Sequence, residues 1–181
     1  MQAVILAAGK GARLRPLTLD TPKPLIEIKG YTLMEYVFRA LPEEIDHLFV
    51  IVHHLHEQIR DRFGDTWNGI PIHYILQDPL DGTAGAVRLL SDRITDRFLV
   101  MNADDLYHKP DIEKLLQTEW GILTFPVDRA LLASAIVDEE QRFRGLGAGS
   151  LAVCGAYVLG PEFFDVKPVK IFVSHYTEYG L

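Results

Sequence analysis

The chain has 181 residues, 48% of them hydrophobic and 24% charged, enough for one folded unit with a proper core and an ordinary globular composition. A net charge of −7 argues against general nucleic-acid affinity, which needs a basic face, and no apolar run approaches the ~20 residues of a membrane span. The single cysteine, Cys154, rules out an intrachain disulfide and reads as a core residue, and the N-terminus lacks a signal-peptide pattern, so a cytoplasmic enzyme is expected.

In chain order, Ala3 to Leu6 is predicted as a short buried strand. Thr32 and Glu35 form a capping box that opens a helix through Ala40, which Pro42 helps to end. Leu48 to His53 is a β-branched strand, Leu55 to Phe63 a helix closed by Gly64, and Ile72 to Leu76 an alternating strand. A helix over Ala84 to Leu90 follows the Gly82-Thr83 turn; then come a strand over Phe98 to Met101 and a helix over Asp111 to Gln117. Repeated βα units of this length imply an α/β fold, a mostly parallel, doubly wound Rossmann-like sheet with helices on both faces. From about residue 121 the texture changes. Ile122 to Val127, Ala133 to Val137 and Leu151 to Leu159 read as strands, with Asp138-Glu139-Glu140 as a polar turn, which predicts a small β-rich insertion or lid beside the parallel sheet.

The stretch that carries most chemistry is Leu6 to Leu25, LAAGKGARLRPLTLDTPKPL. Gly9-Lys10-Gly11 follows directly on the first strand, where glycines let main chain approach a ligand and turn N–H groups toward anionic oxygens. Arg13 and Arg15 supply forked donors suited to phosphate, and Lys23, held between Pro22 and Pro24, supplies a point charge on a stiff segment. These cations cluster against the overall sign of the chain. A P-loop is excluded because Gly11, not Ser or Thr, follows Lys10, and a dinucleotide fingerprint because Leu14 stands where a small residue is required.

Two further motifs stand at strand ends. In Gln77 to Ala86, Gln77 offers a donor and an acceptor to a base edge, and Gly82 lets a base lie against main chain. In Asn102-Ala103-Asp104-Asp105, hard oxygen ligands suit Mg²⁺, which keeps water and bridges phosphates. His53, His54 and His56 lack the partner spacing of a zinc site and read as surface or loop histidines. In open α/β sheets ligands sit beyond the carboxyl ends of the strands, and all three motifs fall there, so one shared site is expected.

The opening resembles the signature of the sugar-1-phosphate nucleotidyltransferases, the nucleotide-sugar pyrophosphorylases: Leu-Ala-Ala-Gly-x-Gly-Thr/Ser-Arg-Leu-x-Pro-Leu-Thr, then Pro-Lys-Pro-Leu. Ala12 replaces the usual Thr or Ser. The resemblance covers roughly residues 1 to 165. It implies a single nucleotidyltransferase domain over residues 1–181, with a nucleotide-binding core over 1–120 and a β-rich sugar-binding part over 121–181. It implies transfer of a nucleoside monophosphate from a nucleoside triphosphate to a sugar 1-phosphate, releasing pyrophosphate. It places Leu6, Ala8, Gly9 and Gly11 around the nucleotide, Gln77 and Gly82 at the base, and Arg13 and Lys23 in catalysis at the phosphates. Asp104 becomes the Mg²⁺ ligand, with Asp105 the second choice, and Gly155 and Tyr157 line the sugar site.

Two elements of the family have no counterpart: a Glu-Lys-Pro segment ahead of Gly155, whose lysine meets the sugar phosphate, and a Trp-x-Asp-x-Gly-Thr-Pro segment whose aspartate is a second metal ligand. Lys167 to Leu181 ends without a capped element, which reads as an incomplete chain or a short homologue with altered chemistry. A phosphocholine-type cytidylyltransferase and a non-catalytic nucleotide-binding module are the alternative readings. Base, sugar and oligomeric state stay open.

Overall fold

The computed structural model of the chain describes residues 1–165 and 172–175. Its strands are β1 (Gln2–Leu6), β2 (Glu27–Ile28), β3 (Tyr31–Thr32), β4 (His47–Val52), β5 (Thr66–Trp67), β6 (Ile70–Leu76), β7 (Phe98–Asn102), β8 (Gly121–Val137), β9 (Phe143–Leu159) and β10 (Phe172–His175). Its helices are α1 (Leu33–Arg39), α2 (His56–Phe63), α3 (Thr83–Arg88) and α4 (Lys109–Leu115). Eight strands make one sheet in the order β10-β8-β9-β7-β1-β4-β6-β5. β7, β1, β4 and β6 run parallel, as the βα alternation predicts.

Alternation along β1 divides the core. Ala3 and Ile5, with Leu48, Val50, Leu99 and Met101, face α1, α2 and α4 through Met34, Phe38, Ile59, Ile112 and Leu115. Val4, with Phe49, Ile51, Phe98 and Val100, faces α3 through Ala86 and Val87, beside Leu90 and Trp120. Central strands buried on both faces are apolar almost throughout, which is why β4 reads Leu-Phe-Val-Ile-Val over its last five residues. Each such side chain contributes about 1.5–3 kcal/mol on burial.

Local signals set the helix ends. The Thr32–Glu35 capping box is present in both directions, at 3.1 Å and 2.6 Å. Gly64, at φ 62, ends α2. Helix α4 starts two residues earlier than predicted because Pro110 is tolerated in the first turn, where its missing N–H is not needed.

The second half departs from expectation in its strands and in their placement. Two strands predicted on either side of residue 130 are a single irregular strand, β8, whose pairing with β9 shifts register between Pro126 and Leu131. Proline is accommodated at such an irregularity without ending the strand. The β-rich part is also not beside the parallel sheet but continuous with it: β9 pairs antiparallel with β7, Val100 opposite Tyr157. Two hairpins, Lys29-Gly30 between β2 and β3 and Asn68-Gly69 between β5 and β6, are additions to the sequence reading. Apart from β10, the Lys167 to Leu181 segment lies outside the described residues. Among the described residues no helix is long and apolar enough to cross a membrane.

Candidate active site

Three backbone hydrogen bonds carry the parallel ladder one step past the strand ends. Ala7 donates to Ile51, Gln77 to Val52 and Ala103 to Leu6, all within 2.8–3.0 Å. The residues that follow β1, β6 and β7 therefore emerge from one edge of the sheet, side by side. They enclose a cleft of about 390 Å³ lined by Leu6, Ala8, Gly9, Gln77, Gly82 and Asp104, with Leu80, Thr83, Ala86 and Asn102 completing the wall. Six of the residues singled out from the sequence thus meet in one cavity.

The two glycines of the first loop have different causes. Gly11 sits at φ +61, and a Cβ there would lie 2.8 Å from Thr18 Cγ2. The buried Thr18 donates its hydroxyl to the Gly11 carbonyl at 2.8 Å, closing the loop on itself. Gly11 is therefore required by the protein's own packing. A Cβ on Gly9 would meet no protein atom within 4 Å, so nothing in the fold demands a glycine there. What that backbone leaves clear is cleft space.

Gln77 is 4% exposed and closes the cleft at the far side. Its backbone carbonyl pairs with His53 Nδ1 at 2.9 Å. Its side-chain Nε2 donates to Asp81 Oδ1 at 2.8 Å and to the Gly82 carbonyl at 3.0 Å. Gly82, at φ +94, caps α3 and leaves open space where a side chain would stand.

Lys23 Nζ donates to Asp104 Oδ2, joining the first loop to the end of β7 across 81 residues of sequence. Both side chains keep about a quarter of their surface exposed. Asp105 turns the other way. It accepts from Asn102 Nδ2 at 2.9 Å and from the Tyr107 hydroxyl at 3.4 Å. The one hydroxyl proton is shared with the nearer Gly155 carbonyl at 3.0 Å, and the same oxygen accepts the Asn102 backbone N–H at 3.2 Å. Burial first, and the Asp105 charge second, push the Tyr107 phenol far above its ordinary range, so it stays a neutral hydroxyl. Gly155, at φ +65, lies so close to Asn102 that a Cβ would fall 2.1 Å from its Nδ2.

Gly11, Arg13, Lys23, Gly155 and Tyr157 are not part of the cleft wall, and Lys23 is tied to it through Asp104. Arg13 is exposed on the short 3-10 turn Ala12–Leu14 and bonds to no described residue. Tyr157 lines a second cavity of about 330 Å³ with Val87, Trp120 and Phe163, and Thr83 lines both cavities. Cys154 is partly buried against the core, and burial pushes its thiol up to about 12. Among the described residues no group of three or more His, Cys, Asp or Glu side chains could hold a metal. Two of the histidines near residue 53 bond to main chain, His53 Nδ1 to the Gln77 carbonyl and His56 Nδ1 to the His53 carbonyl at 3.0 Å, and His54 is exposed. Sequence reasoning missed Asp81 and Tyr107. The only hint of Tyr107 was an aromatic residue close behind two strand-end carboxylates.

The family model described as nucleotidyl transferase matches residues 2–120. The bifunctional protein GlmU of Methanocaldococcus jannaschii is 37% identical over 122 residues, covering 67% of this chain and 29% of that protein. The UTP–glucose-1-phosphate uridylyltransferase AglF of Haloferax volcanii is 38% identical over 109 residues, 60% of this chain and 45% of its own length. The chain thus spans less than half the length of these two curated relatives. The inositol-1-phosphate CTP transferase from T. maritima has a TM-score of 0.78 at 17% identity, over 96% of this chain and 84% of that one, a likeness of fold.

Proposed function

This chain belongs to the nucleotidyl transferase family, and from that premise we propose that it transfers a nucleoside monophosphate from a nucleoside triphosphate to a sugar 1-phosphate. One observation carries the reading. The ligand-sized space over Gly9, the buried amide of Gln77 and the Asp104 carboxylate that Lys23 holds share one cleft. Base, phosphates and a divalent cation each have a suitable wall there.

In the proposed reaction an oxygen of the sugar phosphate attacks the α-phosphorus, a new P–O bond forms, and the bond to the bridging oxygen breaks. The electron pair leaves with pyrophosphate. No side-chain nucleophile is required, so alignment and charge dispersal make up most of the barrier. Leu6, Ala8, Gly9 and Gly11 hold the nucleotide, and Gln77 and Gly82 hold its base. Lys23 and Arg13 meet the charge that develops on the leaving group; Arg13 is exposed and bonds to no described residue.

The donor set fits Mg²⁺. A lone carboxylate, Asp104, at a strand end facing the cleft suits an ion that takes its remaining ligands from water and substrate phosphates. When bound, that ion would neutralise phosphate charge. Asp105 is tied to Asn102 and Tyr107, which favours Asp104 as the ligand. On the sugar side stand Gly155 and Tyr157. Tyr157 keeps a neutral phenol, because burial raises it, in a cavity that shares Thr83 with the cleft wall. The activity is assigned to the cytoplasm.

The test is to incubate the protein and Mg²⁺ with each triphosphate and a panel of sugar 1-phosphates and phosphocholine, and to measure pyrophosphate. Release with a sugar 1-phosphate is expected. Triphosphate binding without release on any acceptor overturns catalysis, and release confined to CTP with phosphocholine reassigns the acceptor.

A further inference from the structure

Gln77 does not offer both polarities to the cleft. A primary amide has two N–H donors, and here both are engaged within the protein, one by Asp81 Oδ1 at 2.8 Å and one by the Gly82 carbonyl at 3.0 Å. The opposite amide orientation would set the Gln77 carbonyl oxygen against two other acceptors, which is repulsive. The amide orientation therefore follows from its partners. Its remaining polar atom, Oε1, has no partner among the described residues and is not a sealed buried atom, so it faces the cleft that Gln77 lines.

We infer that Asp81 is a specificity-determining residue: by holding the Gln77 amide it presents an acceptor alone to the base, and so selects bases whose ring edge carries an N–H. Uracil, thymine and guanine have that ring N–H, whereas cytosine and adenine bring a ring nitrogen lone pair to the same point. This rests on the reading of the cleft as a triphosphate site.

A second feature supports the assignment. Gly85, in the first turn of α3, has the Asp81 carboxylate where its side chain would be: a Cβ there would lie 1.9 Å from Asp81 Oδ1. Glycine weakens a helix interior, so this one is kept at a cost. The vacancy lets the carboxylate fold back over α3 and reach Gln77. On the other side, the His53 Nδ1 contact fixes the Gln77 main chain. Backbone and side chain of Gln77 are thus both held before any ligand arrives, which is the arrangement preorganised recognition requires.

The experiment is equilibrium competition binding of UTP, dTTP, GTP, CTP and ATP with Mg²⁺, on the parent chain and on Asp81→Asn, Asp81→Leu and Gly85→Ala. The parent should prefer the ring N–H triphosphates over CTP and ATP by about tenfold or more, the scale of one mismatched hydrogen bond in a closed site. Asp81→Asn keeps an acceptor for the Gln77 amide and should keep the preference. Asp81→Leu removes that acceptor and should bring the preference to within roughly threefold of unity. Gly85→Ala displaces the carboxylate but favours the helix, so it should lose the preference with a melting temperature at or above the parent's. A purely structural role for Asp81 would not move base preference in a variant of undiminished stability.

Triphosphate binding by the parent without preference for a ring N–H overturns the inference and leaves the proposed function standing. A preference kept in Asp81→Leu or Gly85→Ala, or lost in Asp81→Asn, also overturns it. Failure of every triphosphate to bind overturns both.

Discussion

Lys23 holds Asp104, the carboxylate that the proposed chemistry needs for its metal. The pair closes a loop of 81 residues, with Asp104 in the cleft wall and each side chain about a quarter exposed. At that exposure its contribution to stability is small. Its consequence for ligands is larger: a cation approaching Asp104 must displace an ammonium group already there. A metal that arrives with a triphosphate resolves the conflict, because Lys23 then exchanges a carboxylate for phosphate oxygens.

This exchange predicts opposite effects in one variant. Lys23→Met should lower pyrophosphate release by about 100-fold or more, since a charge that meets the leaving group is lost. The same change should tighten Mn²⁺ binding in the absence of nucleotide several-fold, on the order expected for removing a like charge at contact distance in a solvated site. Electron paramagnetic resonance of free Mn²⁺ reads the second effect without any turnover. Asp104→Asn should abolish both the Mn²⁺ site and the Mg²⁺ dependence. Unchanged Mn²⁺ affinity in Lys23→Met would remove the exchange.

The glycines at 9 and 11 should separate stability from binding. Gly11→Ala must hold a left-handed backbone and push into Thr18, so chemical denaturation should give a loss of about 1–2 kcal/mol. Gly9→Ala meets open space in the protein, and its stability should stay within about 0.5 kcal/mol of the parent. Its triphosphate affinity should nevertheless fall at least tenfold, because the new methyl group occupies the room a ligand needs. Isothermal titration supplies that number, and normal affinity in Gly9→Ala would show that the cleft is not filled from that side.

What the sequence made legible was local, or depended on parallel order. The Thr32–Glu35 box reads correctly because both partners lie within one turn. The convergence of Gly9, Gln77 and Asp104 reads correctly because strand ends in a parallel sheet share one edge. The break expected between Val127 and Ala133 is bridged, because β8 continues through a register irregularity that only its pairing with β9, beyond it in sequence, makes possible. Asn68-Gly69 was readable as a hairpin, and its short strand β5 escaped notice through brevity alone. The Gln77–Asp81 contact was not legible, because it depends on side-chain rotamers and on empty space at Gly85. Nor was the reason for Gly155, whose neighbours Asn102 and Asp105 lie some fifty residues away in the chain.

Tyr107 should position the metal loop. Its hydroxyl ties the Gly155 carbonyl on β9 to Asp105 and to the Asn102 backbone beside Asp104. Tyr107→Phe keeps the ring and removes those bonds, leaving a partly buried carbonyl and N–H without their partner. A loss of about 1–3 kcal/mol is expected in denaturant unfolding. The Mg²⁺ concentration for half-maximal activity should rise, while the triphosphate KM at saturating Mg²⁺ changes less. A variant with lowered stability but unaltered Mg²⁺ dependence would confine Tyr107 to a structural role.

Alkali should destabilise the fold through groups that burial keeps protonated. The Cys154 thiol is raised from 9.0 to about 12, chiefly by burial and then by the Asp105 and Asp111 charges, and Tyr107 is raised further from its own ordinary value. Both are acids whose folded state holds the proton more tightly. Their contribution is complete below the unfolded values near 9 and 10 and is lost as pH rises toward the folded ones. Over that interval the unfolded chain binds fewer protons than the native chain, so stability falls by at most about 1.4 kcal/mol per pH unit for each group. Unfolding midpoints measured from pH 8 to 11 should decline, and Cys154→Ala should flatten the decline between pH 9 and 11. The same protonation should make the parent thiol slow to alkylate at pH 8, since the thiolate is the reacting form. A fast-reacting Cys154, or a slope indifferent to its removal, would mean that the thiol titrates freely in the folded chain.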